Sequence, residues 1–92
     1  MQEFDVVVVG GGASGLRAAI AAKRAGASVA LLSKTHPLRS NSAIAQGGIN
    51  APLGKDDSAE NFANDIMAAG DGLCERAVVQ SFVQDATKEI LW

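Results

Sequence analysis

Ninety-two residues with 48% hydrophobic and 20% charged side chains describe one small globular domain and exclude a disordered chain. A net charge of −2 and a pI near 5.1 provide no basic field for nucleic acid or anionic lipid, so nucleic acid is not an expected partner. No apolar run approaches the roughly 20 residues that span a bilayer, the start Met1-Gln2-Glu3-Phe4-Asp5 lacks the basic region of a secretory signal, and the lone Cys74 supports neither an intrachain disulfide nor a multi-cysteine metal site.

Four consecutive valines, Val6 to Val9, form a β-branched run too short for a helix, and the expected element is a strand buried on both faces. Gly10, Gly12 and Gly15 follow as G-x-G-x-x-G. In a strand–turn–helix unit the first glycine permits the tight turn, the second lets the backbone approach a pyrophosphate, and the third lets helix and strand pack closely. The helix then aims unpaired N–H groups and its positive end at the phosphates. Leu16, Ala19, Ile20 and Lys23 recur at helical spacing, and Gly26 stands where such a helix stops. Ala27 to Leu32 reads as a second strand, which completes a βαβ unit over residues 4–33. The alternative is a glycine turn that serves packing alone.

The acidic residue that takes ribose hydroxyls in nicotinamide dinucleotide domains belongs at the end of the second strand, where this chain has Ser33 and Lys34. A serine hydroxyl bonds a ribose hydroxyl without the carboxylate's charge, which argues against an ordinary NAD site. Alternatively, Ser33 only ends the strand.

Residues 34–56 show little periodicity and many turn formers, the signature of a binding segment. Lys34, His36 and Arg39 are cationic or titratable, Ser40, Asn41, Ser42 and Gln46 offer hydrogen bonds, and Gly47-Gly48 permits close backbone approach. That mixture suits contacts around a phosphate-bearing, ring-containing cofactor. A solvated loop is the alternative, against which Ala43-Ile44-Ala45 is too apolar. Ser42 to Gln46 suits a short helix with Ile44 buried. His36 precedes Pro37, is therefore held extended, and reads as a satisfied or exposed histidine.

Asp57-Ser58-Ala59-Glu60 resembles a capping box and opens a helix over 58–69, with Phe62, Ile66, Met67 and Ala69 on one face and Gly70 as its stop. Asp65 and Asp71 read as solvated charges, and Cys74 as a small buried apolar residue. After the Gly70-Asp71-Gly72 turn, Val79, Phe82, Val83, Ala86 and Ile90 define a second amphipathic helix over 75–92. Only two strands are evident and the final helical pattern carries no stop signal, so the chain reads as the truncated N-terminal part of a longer protein.

The runs Asp5 to Ala19, Leu32-Ser33-Lys34 and Pro37 to Ala51 closely resemble the succinate dehydrogenase/fumarate reductase flavoprotein family, to which L-aspartate oxidase also belongs. The likeness extends through Gly70 to Glu75 and Glu89 to Trp92. It implies an α/β fold: an incomplete Rossmann-like FAD-binding βαβ unit followed by a cofactor loop and two helices. It further implies that Gly10, Gly11, Gly12, Ala13, Ser14 and Gly15 hold the pyrophosphate of FAD and that Ser33 and Lys34 contact the adenosine side. Ser40, Asn41, Ser42, Ala45, Gln46, Gly47 and Gly48 then run beside the flavin. In that family serine is usual at the ribose position, which removes the objection raised by Ser33. Membrane-bound members carry a histidine, covalently joined to the flavin, where this chain has Asn41. An amide cannot form that link, so the FAD is expected to be non-covalent and less oxidising.

In the family a hydride passes between a dicarboxylate and the flavin, with a later arginine moving the proton. Arg17, Arg24, Arg39 and Arg76 do not fill that role, so no catalytic residue is expected here and the segment alone is expected to lack dehydrogenase activity. The resemblance implies a dicarboxylate substrate and an iron–sulfur partner subunit for the full-length protein, with a cytoplasmic location and membrane association through partner subunits. Gln46 is similar to the residue of succinate- and aspartate-oxidising members. The runner-up enzyme is L-aspartate oxidase. A non-catalytic nucleotide-binding module, or a self-associating fragment with open edges, stands as the other reading.

Overall fold

A computed structural model describes residues 1–92, which fall into two compact units, Met1–Gly48 and Ile49–Trp92. The first unit contains strand β1 (Val6–Val9), helix α1 (Ala13–Arg24), strand β2 (Val29–Leu32), a 3-10 helix (Pro37–Arg39) and a single-turn helix α2 (Asn41–Ile44). β1 and β2 pair in parallel, with Val6 opposite Val29 and Val9 opposite Leu32. Parallel strands need a crossover, and α1 provides it. The Gly10 N–H carries the ladder one step further by donating to Leu32 O at 2.8 Å.

α1 ends in a Schellman arrangement: the Gly26 N–H donates to Lys23 O (3.0 Å) and the Ala27 N–H to Ala22 O (3.1 Å). Gly26 has a φ of +92°, so the glycine expected as a stop is required by the backbone itself.

Burial differs from expectation. Val7 is 53% and Val9 82% exposed, so β1 is not covered on both faces. A β-branched run favours an extended backbone, but burial needs neighbours, and a two-stranded sheet contacted by α1 does not supply them. The short helix occupies 41–44 rather than 42–46, and its Ile44 is exposed rather than buried.

The second unit is a pair of helices, α3 (Ala59–Gly70) and α4 (Arg76–Leu91). Val79, Val83 and Ala86 of α4 are its buried residues, and Phe62 and Phe82 stack obliquely with ring centroids 6.0 Å apart. The Thr87 hydroxyl donates to Pro52 O at 3.4 Å, which ties α4 to the segment before α3. The cap of α3 is Ser58, whose Oγ accepts from the Asn61 N–H at 3.0 Å, while Asp57 accepts from the Ser58 N–H at 2.8 Å. Glu60 thereby lies one position too early for a capping box. Gly70 is the last helical residue, and Asp71 takes the left-handed conformation with φ +48° and ψ +49°. Gly70 serves packing instead, because a Cβ there would collide with the Cys74 thiol. Cys74 is half-buried, with Sγ 3.6 Å from Ile66 O.

Before β1 lies a clasp that no local pattern announces. The Asp5 carboxylate accepts from both the N–H (2.8 Å) and the hydroxyl (2.9 Å) of Ser28, and the Asp5 N–H donates back to Ser28 Oγ at 2.9 Å. The Ser28 backbone N–H, and after it the Ser28 hydroxyl, hold the Asp5 carboxyl below its ordinary value of 3.8. A depressed folded value means that the clasp's contribution is present above that ordinary value and is lost as pH falls through the lower folded one. NMR titration is expected to show the Asp5 carboxyl and the Ser28 amide sharing a midpoint below 3.8, with Ser28→Ala moving it only part of the way back because the backbone donor remains. A midpoint at or above 3.8 in the unsubstituted chain would remove the clasp as a determinant of strand pairing.

Candidate functional site

The carboxyl ends of the two parallel strands meet around the glycine turn, which is where open α/β sheets place ligands. Gly10 has a φ of +119° and open space where a side chain would stand, so the turn is tight and its outer side is clear. A Cβ on Gly15 would collide with the carbonyl oxygen of Gly10, because the first turn of α1 lies directly on the end of β1. Gly12 is the cap of α1 and has no side chain to accept from the first-turn amides. The first turn carries no acidic residue, so its amide dipoles keep their pull on an anion.

Gly11, the x of the motif, has a steric task that spacing alone does not reveal. It is buried, and a Cβ on it would lie 2.7 Å from Ser33 Oγ and 3.4 Å from Pro37 Cγ. The segment after β2 therefore packs onto the turn after β1. Ser33 Oγ donates to Thr35 O at 2.6 Å, which leaves its acceptor lone pairs available to a ribose hydroxyl, and Lys34 beside it is exposed. His36 caps the 3-10 helix, its Nδ1 accepting from the Leu38 N–H at 3.2 Å, in agreement with a satisfied histidine. The Ser40 hydroxyl caps α2 by accepting from the Ala43 N–H at 3.2 Å.

Asn41 is the first residue of α2 and is exposed. Ser42, the second, reaches back to the glycine turn: its Oγ accepts from the Ala13 N–H at 3.1 Å and would stand 3.4 Å from a Cβ at Gly12. The structure thus brings Gly10 to Gly15, Ser33 and Ser42 together. Ala45, Gln46, Gly47 and Gly48 follow α2 as exposed chain, and nothing lies within 4 Å of a Cβ built on either glycine. The Ser42 contact escaped the sequence reading because its partner lies 29 residues away.

Taken together, the turn offers convergent backbone donors at a positive helix end, small residues that admit close approach, and hydroxyls on two sides. A diphosphate joined to a sugar fits this donor set.

The family model described as FAD binding domain matches residues 5–92 of this chain. The fumarate reductase flavoprotein subunit of Escherichia coli (strain K12) is 46% identical over 94 residues, covering 98% of this chain and 16% of the relative. The L-aspartate oxidase of Mycobacterium leprae (strain TN) is 48% identical over 84 residues, covering 88% of this chain and 16% of the relative. A solved structure of a mutant E. coli quinol fumarate reductase FrdA is similar with a TM-score of 0.85 and 44% identity, over 96% of this chain and 15% of that one. The chain thus spans about one sixth of the length of the curated relatives it matches. With the glycine cradle and the whole-length match in agreement, the chain belongs to the FAD binding domain family, in which it resembles the flavoproteins of fumarate reductase and L-aspartate oxidase.

Proposed function

We propose that this chain is the non-covalent FAD-binding portion of a flavoprotein oxidoreductase that interconverts succinate and fumarate. The observation that carries the reading is the N-terminus of α1 above the Gly10 turn, where the cap residue Gly12 has no side chain and the first turn has no acidic residue, within a chain that matches the family over residues 5–92. Gly10 to Gly15 hold the diphosphate, Ser33 and Lys34 the adenosine side, and Ser40 to Gly48 the flavin side. FAD, once bound, supplies a ring that accepts or returns a hydride. The chain's own residues bind and orient it, and the dicarboxylate and an iron–sulfur subunit belong to the full-length protein. No helix is long and apolar enough to cross a membrane, and association with one falls to partner subunits of the full-length complex, on its cytoplasmic side.

Asn41 carries the non-covalent assignment, because an amide nitrogen has its lone pair delocalised into the carbonyl and does not form the carbon–nitrogen link that an imidazole forms. The same residue favours a second reading, L-aspartate oxidase, supported by the 48% identity to the M. leprae enzyme. Titration of the protein with FAD, followed by acid precipitation, is expected to give saturable binding with all flavin in the supernatant. Flavin retained in the pellet would overturn the Asn41 assignment, and succinate and aspartate oxidation by the full-length protein would separate the two enzyme readings. By itself the segment is expected to turn over neither substrate.

A further inference from the structure

We propose that Asp71–Gly72, in the turn between α3 and α4, is a site of spontaneous aspartate isomerisation, and that the left-handed cap of α3 is the lock that holds the reaction off. In this reaction the Gly72 backbone nitrogen attacks Asp71 Cγ. A nitrogen–carbon bond forms, the carboxyl hydroxyl and the proton of the nitrogen leave as water, and a five-membered imide closes. Water then adds at the α-carbonyl carbon and the older bond to nitrogen breaks. The main chain is left running through the Asp71 side chain as a β-aspartyl link, and water is the only reactant.

The surroundings of the turn favour the attack. Asp71 and Gly72 are both exposed, and nothing lies within 4 Å of a Cβ built on Gly72, so no side chain shields its nitrogen. That nitrogen also donates no backbone hydrogen bond, whereas the Asp71 N–H donates to Ala68 O (3.3 Å) and the Leu73 N–H to Gly70 O (3.0 Å). The backbone geometry opposes the attack. With ψ at +49°, the Asp71 Cβ stands nearly trans to the Gly72 nitrogen about the Cα–C bond, and ring closure requires the two to be nearly eclipsed. Rotation into that arrangement takes Asp71 out of the left-handed region and breaks the Leu73 bond that closes the turn. Cys74 reinforces the lock. Its Sγ donates to Ile66 O at 3.6 Å and packs so close over Gly70 that a Cβ there would collide with it, which returns the chain after the turn onto α3. Helix ends open locally without global unfolding, so the frequency of cap opening sets the rate. A β-aspartyl link adds one atom to the backbone, and the original turn does not re-form after it.

The native-length protein is incubated at neutral pH, both folded and in urea. The β-aspartyl content of the peptide that contains Asp71 is followed by mass spectrometry and by methylation with an isoaspartyl methyltransferase. Asp71→Gly, which keeps a residue suited to the left-handed cap, identifies the signal that belongs to this site. Isomerisation is expected in urea and is expected to be about ten-fold or more slower in the folded protein. Cys74→Ala is expected to speed the folded reaction by about three-fold or more and to leave the rate in urea unchanged. Equal rates folded and in urea, or no β-aspartyl signal at Asp71 in urea, would overturn the proposal, as would an unchanged folded rate in Cys74→Ala. Should Cys74→Ala not fold, the unsubstituted protein in urea below its unfolding midpoint decides. There the reaction is expected to quicken while the circular dichroism stays native, and a rate that rises only with global unfolding would overturn the local lock.

Discussion

Gly15→Ala is expected to lower FAD affinity by about a hundred-fold or more and to destabilise the N-terminal unit by about 1–3 kcal/mol. The added methyl meets the Gly10 carbonyl oxygen, a backbone atom at the hinge of the turn, with the Val8 side chain only 3.6 Å behind it. No rotamer change relieves a clash with backbone, so α1 must lift from β1 and carry its first-turn amides out of register with the phosphates. Gly11→Ala is a milder case, because its nearest obstacle is a serine side chain at 2.7 Å that can shift. FAD titration and chemical denaturation of both variants decide the ranking. Affinity in Gly15→Ala within about three-fold of the unsubstituted protein, less than 1 kcal/mol, would mean that helix and strand are not closely packed there.

The second large effect lies in the helical unit and leaves the cofactor site untouched. Val83 is 4% exposed at the centre of α4, between Val79 and Ala86. In Val83→Asp a carboxylate without a partner replaces two methyl groups, at a cost of about 3–5 kcal/mol. Phe82, the adjacent residue, is 54% exposed, so Phe82→Asp is expected to cost far less despite losing a larger side chain. Denaturant midpoints followed by far-UV circular dichroism separate the two. Equal shifts would show that α4 does not present the face described here.

What the sequence reveals about this chain is mostly local, and what it conceals is mostly distant. The βαβ start, its glycine turn and both long helices follow from patterns confined to a few neighbouring residues, and their observed ends differ from expectation by only a few residues. The displaced caps of α3 have a local cause too: Asp57 and Ser58 are both able to accept a first-turn N–H, and Asp71 tolerates the left-handed conformation expected of a glycine, so spacing alone does not choose between neighbours at either end. The Asp5–Ser28 clasp and the Ser42–Ala13 bond join residues 23 and 29 positions apart, and a short polar side chain carries no mark of its partner. Burial failed for another reason. Val6 to Val9 and Ile44 are apolar enough to be buried, but burial belongs to the surroundings, which a composition rule assumes rather than finds.

Gly11 is the one buried residue of Met1–Gly48, and no apolar side chain of that unit is buried. Val8, Val29, Ala30 and Leu31 are only half-buried, so these residues expose less hydrocarbon on opening than a fully covered sheet would, with a correspondingly smaller heat-capacity increment and shallower denaturant dependence. Within these residues, directional bonds and glycine contacts carry a larger share of the order than they would in a sheet covered on both faces. Mass action adds to that: a ligand present at a hundred times its dissociation constant contributes about 2.7 kcal/mol. For these residues, cofactor supply raises the fraction of chains that are folded as well as the fraction that are loaded.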